Sequence, residues 1–165
     1  MSSSSKNLSS FEGSAIPDAR PFRFGIVYAE WNSAVTHALK EAALQTLTSN
    51  GALEENIIVK TVPGSFELTL GAQYLAEQGN VDAVICLGCV IQGETRHFDF
   101  ICDAVAQGIT QLNIKHNMPV IFGVLTTQNQ QQALDRAGGQ HGNKGDEAAV
   151  TAIKMLHLRN GLRDF

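Results

Sequence analysis

From Arg23 onward, short apolar runs alternate with stretches in which apolar residues return every three or four positions. These are the two rhythms of buried strand and amphipathic helix. Residues 23–29 read as a strand. Residues 32–50 read as a helix in which Val35, Leu39 and Ala42 share one face, widened by Ala34, Ala38, Leu44 and Leu47, with Gly51 as the C′ cap. A second strand spans 57–62 and stops at Pro63-Gly64. Ser65 or a neighbour then opens a helix to about residue 78, ended by Gly79. Residues 83–90 are apolar enough for a strand buried on both faces. Ile101, Val105, Ile109 and Leu112 stripe a helix over 95–116, and 120–125 is a fourth strand. Thr127 with Gln130 resembles a capping box that opens a short helix to about residue 137. After a glycine-rich link, residues 146–160 form the last helix, ended by Gly161.

Four strands separated by helices require right-handed crossovers, a parallel sheet and helices on both of its faces. The expected architecture is a flavodoxin-like three-layer α/β/α domain with a central four-stranded parallel sheet, spanning residues 21–165. Residues 1–20 read as a flexible tail. Seven of these twenty are serine, with Glu12 and Asp18 and no apolar core, which excludes a secretory signal. The stretch 11–21 could instead lie along a neighbouring chain. Apolar runs are only strand-sized, so no membrane span is expected.

Composition adds two constraints. The net charge of −4 argues against a nucleic-acid partner, which calls for a basic excess. Only 17% of residues are charged, against about 25% in an average domain. A small domain has proportionally more surface, so the deficit suggests that part of it is covered by another chain. Cys86 and Cys89 have C-x-x-C spacing, yet strand residues three apart point to opposite faces, and no second motif completes a metal site. With Cys102 they read as buried thiols in a reducing compartment.

In open parallel sheets, ligands bind beyond the carboxyl ends of the strands, where three loops stand out. Glu30-Trp31-Asn32 carries the chain's only tryptophan, either a local packing plug or a surface on which a heteroaromatic ring stacks. Pro63-Gly64-Ser65-Phe66-Glu67 opens a helix, as a plain turn would. Gln92-Gly93-Glu94-Thr95-Arg96-His97 leads a glycine turn into a helix N-terminus, where free N–H groups favour an anion. It is neither G-x-G-x-x-G nor a Walker loop, so dinucleotides and ATP are poorly supported. His97 is either structural or a proton-transfer group beside that anion site. His37, His116 and His157 need only solvent-facing roles. Residues 135–145 form a permissive link carrying Arg136 and Lys144, for which a helix cap and solvated turn suffice.

Taken in order, Trp31-Asn32, Val62-Pro63-Gly64-Ser65-Phe66-Glu67, Gly93-Glu94-Thr95-Arg96-His97-Phe98, Val120-Ile121-Phe122-Gly123 and Arg136-Ala137-Gly138 with Gly142-Asn143-Lys144-Gly145 resemble the lumazine synthases of riboflavin biosynthesis. The resemblance covers about residues 23–160. It implies a transferase that condenses 5-amino-6-(D-ribitylamino)uracil with 3,4-dihydroxy-2-butanone 4-phosphate, giving 6,7-dimethyl-8-ribityllumazine, phosphate and water, without metal or other cofactor. Trp31, Asn32, Ser65, Phe66, Glu67, Cys89, Val90, Ile91, Phe122 and Lys144 fall where the family holds the pyrimidine and its ribityl chain. Gly93, Glu94, Thr95 and Arg136 fall on the butanone phosphate, and His97 and Arg136 take the catalytic positions. Gln92 departs from the pattern, standing where many members carry a basic residue.

The resemblance also implies a cytoplasmic homopentamer with sites between adjacent subunits, in some members a sixty-subunit shell, and riboflavin synthase as a candidate partner. Neither nucleic acid nor membrane enters. Geometry points the same way. Arg136 ends a helix expected to run back from the carboxyl edge for about ten residues, roughly 15 Å, so it would join His97 only across a subunit boundary. The alternative is a flavin- or lumazine-binding or cage-forming protein of this fold without catalysis.

Overall fold

Apolar residues at eight of the nine positions of Ala83–Ile91 form strand β3, buried in the middle of a four-stranded sheet. The computed structural model describes residues 9–11 and 15–163. In it β3 lies between β1 (Phe24–Ala29) and β4 (Val120–Thr127), and β2 (Ile57–Val62) pairs with the outer side of β1. All three pairings are parallel, in the order β2-β1-β3-β4. Helices α1 (Ser33–Ser49), α4 (Gln130–Asp135) and α5 (Lys144–Arg163) cover one face, and α2 (Leu68–Gln78) and α3 (His97–His116) the other. The expected three-layer flavodoxin-like domain is therefore the observed one.

Each face has its own apolar core. Leu39, Ile85, Leu87, Ile153 and Leu156 belong to one, and Leu68, Val84, Val105, Ile109 and Val124 to the other. The period of two along β3 places Cys86 in the second core and Cys89 in the first, which is why this C-x-x-C cannot close on one metal. Burying a Leu or Ile side chain contributes about 1.5–3 kcal/mol, so these two layers dominate the stability. Among the described residues, no helix is long and apolar enough to cross a membrane.

Boundaries depart from expectation where a cap decides them. Helix α2 is preceded by a single 3₁₀ turn, Ser65–Glu67. Helix α3 begins at His97 rather than Thr95, leaving 92–96 as an exposed loop. The cap of α4 is Asn129, whose side chain accepts from the Gln132 N–H at 3.0 Å, and not Thr127, which still belongs to β4. The link after α4 is a small antiparallel ribbon of β5 (Ala137–Gly139) and β6 (Gly142–Asn143). Helix α5 starts two residues early because the Asn143 carboxamide oxygen caps the Gly145 N–H at 2.8 Å. It also runs through Gly161, whose exposed position makes the glycine penalty only about 1 kcal/mol.

The packed chain begins before Pro21. Ala19 is fully buried and donates its N–H to Asn50 O at 2.8 Å, and Ile16 packs on the first core. The rest of the expected tail, residues 1–8 and 12–14, lies outside the described residues. His157 is half-buried rather than solvent-facing: it meets Asp18 O at 2.7 Å and stands edge-on to Phe22. His116 is also half-buried, its Nε2 lacking a hydrogen bond and lying 3.9 Å from Glu77.

Helix α1 approaches α5 closely at Gly145, where a Cβ would overlap the Leu39 carbonyl. Neighbouring bonds from Asn143 Nδ2 to Ala38 O (3.2 Å) and Thr46 Oγ1 to Asp146 (2.8 Å) leave little room to slide. Gly145→Ala is expected to destabilise the fold by about 1–3 kcal/mol. Equilibrium urea unfolding checks this, and an unchanged midpoint would refute it.

Candidate active site

The order β2-β1-β3-β4 puts the topological switch point between β1 and β3, the place where parallel sheets open a crevice at their carboxyl edge. Here the two strands end unequally. The last β1–β3 pair is Tyr28 with Leu87, while β3 continues to Ile91 beside β4. Beyond Leu87, one side of β3 is therefore open to the loop that follows β1.

That loop closes part of the gap. Glu30 N–H donates to Val62 O (2.8 Å) and Trp31 N–H to Pro63 O (3.0 Å), extending the β1–β2 course for two residues. Asn32 then adopts a left-handed conformation (φ 59°), which asparagine tolerates better than most residues. This turns the chain into α1 and brings its Nδ2 to 3.0 Å from Cys89 O. The buried Ser65 hydroxyl donates to the same carbonyl at 3.4 Å. Three loop ends thus meet on one oxygen.

The side chains above this floor are differently disposed. Trp31 is 67% exposed, its ring lying against Gly64. A Cβ at Gly64 would fall 2.6 and 2.7 Å from two indole carbons, so the absent side chain is what seats the ring. Glu67 accepts from the Gly64 N–H at 3.0 Å. Phe66 is exposed and lines a shallow cavity with Thr69, Leu70, Gln73 and Ala104, between α2 and α3. Of the Cys89–Ile91 backbone, the Cys89 carbonyl is occupied. Gln92 N–H faces β4 through Thr127 O, so strand alternation turns the Ile91 backbone towards the crevice and that of Val90 towards β4.

At the head of α3, His97 is exposed and its N–H reaches Thr95 Oγ1 at 3.4 Å. Among the described residues, none of the N–H groups of Gly93, Glu94, Thr95 and Arg96 donates to a protein acceptor. A Cβ at Gly93 would meet nothing within 4 Å. An open turn of unpaired donors at a twenty-residue helix start suits a small anion.

Phe122, Arg136 and Lys144 stand apart from this crevice. Helix α4 has six residues rather than ten, about 9 Å, and Arg136 caps its far end, half-buried and without an ion pair among the described residues. Lys144 N–H donates to Arg136 O at 2.8 Å. The Lys144 ammonium pairs with Glu147 at 3.0 Å and lines an open cavity of about 350 Å³ with Phe122, along the outer edge of β4. No hydrogen bond or ion pair among the described residues joins this group to Trp31, Ser65 or His97. A second open cavity, about 550 Å³, lies beside β2 and α2, lined by Lys60, Leu70, Tyr74 and Gln78, and shares only Glu67 with the expected site.

Sequence reasoning passed over Asn143 and Asn129, whose side chains fix the ribbon and α4. An Asn two or three residues before a helical amide was the available signal.

Fold and loop geometry together define a flavodoxin-like α/β domain whose β1, β2 and β3 loops converge at the switch point of its sheet. Residues 21–160 match the family model described as 6,7-dimethyl-8-ribityllumazine synthase. The chain is 65% identical to the protein of that name from Cytophaga hutchinsonii over 156 residues, 94% of this chain and 98% of that one. Identity is 56% to its namesake from Parabacteroides distasonis (96% and 99% covered) and 52% to that from Phocaeicola vulgatus (99% and 97%). The chain belongs to the 6,7-dimethyl-8-ribityllumazine synthase family.

Two outcomes test this geometry. Gly64→Ala should dislodge the indole of Trp31, the only tryptophan, and raise its accessibility to acrylamide; unchanged quenching would contradict the seating. Burial pushes the Cys89 thiol up to about 11 and that of Cys86 higher. At pH 8 roughly one Cys89 in a thousand is then thiolate. Neither thiol should react with iodoacetamide before unfolding, which peptide mass mapping would show. Early labelling of Cys89 would mean that the carboxyl end of β3 opens.

Proposed function

We propose that this chain condenses 5-amino-6-(D-ribitylamino)uracil with 3,4-dihydroxy-2-butanone 4-phosphate to give 6,7-dimethyl-8-ribityllumazine, phosphate and water. The observation that carries the reading is the family match over residues 21–160, falling on a chain whose β1, β2 and β3 loops converge at the switch point. Trp31 supplies an exposed aromatic face for the pyrimidine, and the Ile91 backbone supplies donors and acceptors for its edge. Asn32 and Ser65 build the floor through Cys89, whereas Glu67 and Phe66 border the ribityl side. The Gly93–Arg96 amides, with Glu94 and Thr95 in the loop, receive the phosphate.

The reaction joins an aromatic amine to a ketone as an imine with loss of one water, eliminates phosphate, and closes a second ring with loss of another water. Holding the two reactants in register supplies much of the acceleration. His97, at the phosphate end of the crevice, moves protons during imine formation and phosphate loss, a contribution of about 10²–10⁴-fold. Arg136 grips the leaving phosphate by charge-assisted hydrogen bonds, and Phe122 and Lys144 complete the wall.

This assignment needs two subunits, because Arg136, Lys144 and Phe122 lie along the β4 edge while His97 and Trp31 lie at the carboxyl edge. A homopentamer with sites between neighbours meets that need, and the compact link from Gly138 to Gly145, which carries no insertion, favours further growth into a sixty-subunit shell. Exposed Leu70 and Tyr74 on α2, and Phe100 and Ile114 on α3, give a subunit apolar surface to bury. Three unpaired cysteines accord with the cytoplasm, and riboflavin synthase would take the product.

The test is complementation. His97→Ala and Arg136→Ala subunits, each expected to lose at least about 10²-fold in turnover, should recover activity when co-assembled into verified mixed oligomers, followed by lumazine absorbance. No recovery would refute the shared site. A binding protein without catalysis would show no turnover with both substrates.

A further inference from the structure

The ribbon that joins Arg136 to Lys144 is short, and two-stranded ribbons hold marginally on their own. Its register pairs Ala137 with Asn143, and the flanking bond runs from Lys144 N–H to Arg136 O. In an antiparallel pair this makes Ala137 and Asn143 the non-hydrogen-bonded pair, so the Asn143 N–H and C=O point away from β5. Asn143 is 8% exposed, and its outward backbone groups need partners.

Both partners come from one atom, 134 residues away. Ser9 Oγ accepts from the Asn143 N–H at 2.7 Å and donates to the Asn143 carbonyl at 3.0 Å. A serine hydroxyl has the donor and the acceptor that this requires. The Asn143 side chain is committed inward, its Oδ1 to Gly145 N–H and its Nδ2 to Ala38 O. Asn143 is thus held on three sides: by α5, by α1 and by Ser9. The next residue is Lys144, whose N–H forms the rung to Arg136 O.

We propose that Ser9 is a positioning residue for the phosphate-binding half of the site, acting through Asn143 to hold the Arg136–Lys144 ribbon in register. The inference rests on the reading that Arg136 grips the phosphate-bearing substrate. Without the hydroxyl, two nearly buried backbone groups lose their partners and the ribbon gains freedom, while Ser9 itself belongs to neither core.

The experiment is steady-state kinetics of full-length Ser9→Ala, Ser9→Thr and Arg136→Ala, with amide hydrogen exchange across residues 136–145. Ser9→Ala should raise KM for 3,4-dihydroxy-2-butanone 4-phosphate about three- to tenfold, the loss of one or two ordinary hydrogen bonds. KM for the pyrimidine should stay near wild type, the thermal midpoint should fall by only a few degrees, the Asn143 and Lys144 amides should exchange faster, and Ser9→Thr should restore these readouts. Unchanged KM values in Ser9→Ala, or both rising together, would overturn the proposal. If Arg136→Ala raises the phosphate KM and Ser9→Ala does not, only the role of Ser9 falls. If Arg136→Ala leaves that KM unchanged, the phosphate reading falls and takes this inference with it.

Discussion

The Cys89 carbonyl oxygen is the point on which the site depends. It lies where β1 has already turned away and β3 has not, so the sheet itself offers it no partner on that side. A buried carbonyl in that position needs donors, and the Asn32 amide and the Ser65 hydroxyl supply them. Meeting this demand fixes the rest. Asn32 must turn left-handed to aim its amide inward. Trp31, one residue earlier, is left outside, on the bare surface of Gly64. Ser65 sets where the α2 segment enters, and hence where Phe66 and Glu67 stand. The floor of the crevice is therefore built by the fold's own hydrogen bonds, from Asn32 and Ser65 to Cys89.

Much of this fold could be read from the chain. The periods of two and 3.6 locate the four strands of the central sheet and all five α-helices, since burying their apolar stripes is the largest favourable energy available. Ends were less legible, because a cap depends on which oxygen reaches which N–H. Thr127 and Asn129 are both sound capping residues, and only the length of β4 decides for Asn129. Likewise Asn143 offers a local cap two residues before Gly145, but the close approach of α1 at Gly145 is a tertiary fact that no local pattern carries.

Motifs in the chain propose a set of site residues but not their arrangement. Motif order named Trp31, Ser65, Glu67, His97, Arg136 and Lys144. It could not say that the Ser65 hydroxyl is spent on Cys89, or that Glu67 bonds Gly64. Nor could spacing show that Phe122, Arg136 and Lys144 gather along the β4 edge, away from the crevice. That separation follows from strand order, which is global. The low charge fraction accords with the proposed shared pocket, since surface covered by a neighbour needs few charges.

The shared pocket is tested most directly by the structure of the assembled protein with inorganic phosphate bound. The account predicts phosphate on the Gly93–Arg96 amides beside His97 of one subunit, within hydrogen-bond distance of Arg136 from the next. Phosphate held by His97 and Arg136 of the same subunit, or with no Arg136 near it, would contradict the account.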